Sequence, residues 1–125
     1  MANGSDIKLT INFNDPQLTS EERDEQVQRL IKELKDMDEV EKVERVLETS
    51  PPEGSKALGG FLIGLLTAEV NANNAKQLFK FLGDRLGGKA ISLEVEANGK
   101  KLKVTAHSRE ELEAAIKAAE DFIAT

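Results

Sequence analysis

Cysteine, tryptophan and tyrosine are absent from the 125 residues, and histidine occurs once, as His107. Without cysteine there is no disulfide, no thiol nucleophile and no thiolate metal ligand. A single histidine excludes a histidine-cluster metal site and any mechanism that needs a histidine pair. Five phenylalanines are the only aromatics, which leaves little to stack on nucleic-acid bases. Basic residues are the minority, 17 against 23 acidic ones, for a net charge of -6. Phosphate backbones and anionic membranes call for a basic surface, so both are disfavoured as partners. The opening "MANGSDIKLT" has no basic segment followed by an apolar one, unlike a signal peptide. The longest apolar run, Ala57 to Val70, is fourteen residues, against roughly twenty for a spanning helix. The expected compartment is the cytoplasm, and no cofactor is expected.

What is present is a globular mixture, 39% hydrophobic and 32% charged, suited to one core. Residues 1–5 are expected to be a flexible N-terminus and residues 6–125 a single α/β domain. Ile7, Leu9, Ile11 and Phe13 alternate with polar residues, the period of a strand with one buried face. Thr19 to Glu22 reads as a capping box. Val27, Leu30, Ile31, Leu34 and Met37 then follow at helical spacing. Val40 to Leu47 is open to two readings. Three valines three apart could continue the helix, but a strand from about Lys42 to Glu48 is favoured, parallel to the first. Thr49 to Lys56 is a loop, because Pro51 and Pro52 cannot donate ladder hydrogen bonds. Asn71 to Asn74 can cap a helix with the stripe Ala75, Leu78, Phe79, Leu82 and Leu86, ended by Gly87-Gly88.

Asn98-Gly99 is a two-residue hairpin signal, since both central positions need positive φ. A turn there sets Val95 against Leu102, Leu93 against Val104 and Ile91 against Ala106. On the other face Glu96 meets Lys101, Glu94 meets Lys103 and Ser92 meets Thr105. One face is apolar and the other pairs opposite charges, so one side of the sheet is expected to meet water. Ser108 to Glu111 is a second capping box, opening a helix with Leu112, Ala115, Ile116, Ala119 and Ile123 inward. The expected order is β-α-β-(α-α)-β-β-α. That makes an α/β protein, an α+β two-layer sandwich with a mixed four-stranded sheet and its helices on one face.

Ala57 to Val70 carries one charge and three glycines. Gly60, Gly64 and Ala68 are four apart, the spacing of a helix face that lets another backbone approach. The segment is therefore read as a buried close-packing helix. Its partner would be either the alanine-rich last helix or, through Gly60, Phe61, Gly64 and Ala68, a second copy or an effector.

Catalytic patterns are weak. Gly54-Ser55-Lys56 lacks the first glycine and the order of a phosphate loop. Glu21, Glu22, Asp24 and Glu25, like Glu110, Glu111 and Glu113, read as acidic first turns matched to a helix dipole. Glu69 stands alone in the apolar segment and is read as a helix end facing water. His107, between a strand and a helix cap, is read as structural. Lys100, Lys101 and Lys103 form a basic tip explained by hairpin charge pairing. The chain is expected not to be an enzyme.

The opening strand, the helix with "LIKELKDMDEVEKVE", the loop "PPEGSKA", the apolar segment, "FLGDRLGGKAISLEVEANGKKLKVTA" and "SREELEAAI" together resemble a bacterial family, the effector-associated constant components. The resemblance runs from Ile7 to Ile123. It implies a non-catalytic accessory module accompanying effectors such as peptidases in bacterial conflict systems, with a protein effector as partner. It carries no catalytic residues. The loop Pro51, Pro52, Glu53, Gly54, Ser55 and Lys56 is where a partner would be sought. The alternatives are a self-assembling homo-oligomer built on the glycine-rich segment and a small-ligand-binding domain.

Overall fold

The computed structural model describes residues 7–47, 57–58 and 61–124. It is an α+β structure with elements β1 (Ile7–Phe13), α1 (Ser20–Lys35), β2 (Val40–Leu47), β3 (Ala57–Leu58), β4 (Phe61–Val70), α2 (Ala75–Leu86), β5 (Ile91–Ala97), β6 (Lys100–Ala106) and α3 (Arg109–Ala124). The five longer strands lie in the order β2-β4-β1-β5-β6, every neighbouring pair antiparallel, and the two-residue β3 pairs with the start of β4.

Local signals account for the helices. The Thr19 hydroxyl accepts from the Glu22 N–H at 3.1 Å and the Glu22 carboxylate accepts from the Thr19 N–H at 2.8 Å, closing the first capping box. At α3 the Ser108 hydroxyl accepts from the Glu111 N–H at 3.1 Å. The Glu111 carboxylate reaches one residue further back than a standard box, to the His107 N–H at 2.6 Å. α2 starts differently from expectation. Asn74 makes no side-chain cap; instead the Asn71 side chain accepts from the Asn74 N–H at 3.1 Å. α1 closes at Asp36, so Met37 packs on the core from beyond the helix.

The hairpin register is as the charge and apolar patterns require, from Ile91↔Ala106 to Ala97↔Lys100. Asn98 and Gly99 have φ of +55° and +76°. Buried residues of all three helices share one cluster with Ile7, Leu9, Ile11 and Phe13 of β1 and the matching positions of β4 and β5. Glu33 of α1 and Arg85 of α2 are joined at 2.7 Å, and Gly83 of α2 lies against Ile116 of α3.

Two expectations are overturned. The described residues of Ala57 to Val70 hold no helix: Ala57–Leu58 is β3 and Phe61–Val70 is β4. A short apolar run between turn signals is a strand pattern as well as a helix one, and β4 pairs with β1 on one side and β2 on the other. Gly64 does not offer a helix face. It is a buried strand position with φ of +82°, where a Cβ would lie 3.0 Å from the Phe13 carbonyl oxygen. Ala68 is buried in the core. Gly60 lies outside the described residues. The sheet, secondly, has five long strands rather than four and is not mixed. β1 and β2 run the same way, but β4 lies between them. β4 and β5 are likewise separated by β1. β1-α1-β2 and β4-α2-β5 are thus two interlocked split β-α-β units, the ferredoxin-like connectivity, extended by β6 and α3.

Candidate functional site

Alternation along each strand sends every second side chain away from the helices. The registers line these residues up across the sheet. Lys42 of β2 is opposite Glu69 of β4, Glu69 is opposite Lys8 of β1, Lys8 is opposite Glu96 of β5, and Glu96 is opposite Lys101 of β6. The sign of charge alternates across all five strands. The next row reads Glu44, Thr67, Thr10, Glu94 and Lys103, and a third, over four strands, reads Leu65, Asn12, Ser92 and Thr105. The open face is charged near the hairpin tip and becomes neutral toward the start of β4.

At the β5–β6 end the charges pair across strands, and on β2 they pair along the strand. The Lys101 Nζ lies 3.4 Å from Glu94 and 3.5 Å from Glu96, and Lys42 lies 3.3 Å from Glu44. The hydrogen bond to Glu94, then the charges of Glu94 and Glu96, hold the Lys101 ammonium above its ordinary pKa. At the neutral end Asn14 donates to the Ser92 hydroxyl at 2.7 Å. A shallow open depression of about 320 Å³ beside the hairpin turn is lined by Lys8, Glu69, Glu96 and Asn98 among others.

A second polar cluster lies on the helix side. Arg45 is opposite Leu66, an inward position, so its guanidinium turns toward α1 and pairs with the buried Asp24. Gln28 donates to the same carboxylate at 2.7 Å. Sealed between a helix and an edge strand, this group fits a structural tie.

Among the described residues, no group of three or more His, Cys, Asp or Glu side chains is placed to hold a metal, and no helix is long and apolar enough to cross a membrane. His107 is exposed and lies 3.5 Å from Glu111. Glu69, expected at a helix end, instead sits mid-row between Lys8 and Lys42. The basic tip behaves as expected at Lys101. Pro51 to Lys56, expected to be a partner-binding loop, lie outside the described residues. The charged row itself was missed by sequence reading. Only its β5–β6 end had a readable signal, the Asn98-Gly99 turn. The chain matches no protein-family model, no curated protein and no solved structure.

Proposed function

We propose that this chain is a non-catalytic protein-interaction module, an adaptor accompanying an effector of the peptidase type. The observation that carries the reading is the open sheet face. Its ionisable groups are spread in rows across the strands instead of converging on an enclosed pocket, as a catalytic site would require. A face of alternating charge suits recognition, because charge complementarity selects partners and rejects mismatched ones. The scarcity of aromatics in the sequence, with the net charge of -6, weighs against single-stranded nucleic acid. The resemblance to effector-associated components points the same way. Self-assembly through a glycine-rich helix is not retained, since that helix does not form.

Co-expression with candidate effectors tests the reading. A stoichiometric complex that survives purification, and that charge reversal of Lys8 and Glu69 weakens, is the expected result. Turnover of a substrate by the isolated chain, or a saturable melting shift with a small metabolite and no protein complex, would replace it.

A further inference from the structure

The sheet ends in two unlike edges. β2 is irregular, with register shifts between Val40 and Lys42 and between Arg45 and Leu47. β6 pairs with β5 through seven consecutive residues without a shift, and among the described residues nothing lies beyond it in the sheet. A two-residue turn makes Ala97 and Lys100 the first hydrogen-bonded pair, and such pairs alternate along an antiparallel ladder. The N–H and C=O groups of Lys101, Lys103 and Thr105 therefore point to the free edge. Their side chains are exposed and stand on the open face.

Both charged rows end at this edge in a lysine, Lys101 in one and Lys103 in the other. Lys101 already has two carboxylates beside it, whereas Lys103 has no ion pair among the described residues. We infer that the free edge of β6 takes an extended acidic segment of a protein partner as an added strand. Carboxylates at alternate positions of that segment would lie opposite Lys101 and Lys103. This rests on the adaptor reading and specifies its partner chemistry. Main-chain hydrogen bonds supply the docking, and the paired charges supply selectivity. The same lysines disfavour a second copy, because edge lysines facing one another repel. The edge thus discriminates against itself while fitting an acidic strand.

The test uses the whole chain and a short acetylated peptide alternating threonine and glutamate, followed by backbone amide NMR. Expected are saturable shifts centred on Lys101, Lys103 and Thr105, absent with a threonine–lysine peptide. Lys101→Glu with Lys103→Glu should weaken binding by at least about tenfold, through loss of two cross-strand pairs and added repulsion. A threonine–glutamate peptide N-methylated at alternate residues should not bind, since it keeps the charge and loses the strand hydrogen bonds. Equal binding of the methylated peptide, or shifts centred on β2 or on the depression near Lys8, would overturn the inference. An effector complex indifferent to the β6 substitutions would also overturn it while leaving the adaptor reading intact.

Discussion

Asp24 in the second turn of α1 forms a buried ion pair with Arg45 on the edge strand β2, 21 residues later in the chain. Side-chain exposure is 8% for the aspartate and 18% for the arginine, so water does little to screen the pair. Removing one partner leaves a charge without compensation, which typically costs about 3 kcal/mol or more. Asp24→Ala should therefore lower stability by about 3 kcal/mol in urea titration. Asp24→Leu with Arg45→Met should recover most of that loss. Additive losses in the double variant would show that the two side chains act independently.

Gly64 should not tolerate a side chain. Its φ of +82° is a left-handed conformation, and an added Cβ would lie 3.0 Å from a backbone oxygen that cannot swing aside. Gly64→Ala is expected to destabilise by about 1–3 kcal/mol in the same titration. A neutral result would mean that the backbone at residue 64 relaxes into ordinary strand geometry.

Gly83 behaves differently, because its neighbour is a flexible side-chain tip. A Cβ there would lie 3.1 Å from the Ile116 Cδ1. Alanine gains about 1 kcal/mol of helix propensity over glycine, and crowding against Ile116 offsets it. Gly83→Ala alone should change stability little. In an Ile116→Val background, where that methyl is gone, the same change should stabilise. The difference in melting temperature between the two backgrounds reads the coupling.

Lys101 makes the charged row dependent on pH at its alkaline end. Its pKa is raised above the ordinary 10.5, first by the Glu94 hydrogen bond and then by the charges of Glu94 and Glu96. A raised cationic pKa means that the contribution is complete below the unfolded value and disappears as pH rises through the folded one. The melting difference between the native chain and Lys101→Met should thus be present at neutral pH and shrink above about 10.5. Added salt should shrink it at neutral pH too, since the ammonium is exposed.

The β5–β6 half of the charged face was readable because one turn, Asn98-Gly99, sets seven pairings between neighbours in sequence. The other half was not. Lys8, Lys42 and Glu69 come from three strands that meet only when β4 enters between β1 and β2, and no local pattern encodes that insertion. Ala57 to Val70 read as a helix because glycines and alanine four apart suit a helix face; in a strand the same even spacing puts Gly64 and Ala68 on one face, where both are buried.

Residues close in chain position thus settled much of the secondary structure: the alternation of β1, the capping box of α1, the Ser108 cap of α3, the stripe of α2 and the hairpin register. Their hydrogen bonds and side-chain contacts lie within a few residues, so the information is local. Only the tertiary structure decided that β4 is a strand, that the sheet is antiparallel throughout, that Arg45 faces inward to Asp24, and that alternating charges line up across the open face. Those outcomes depend on which strand edges find each other, and that pairing is a property of the whole chain.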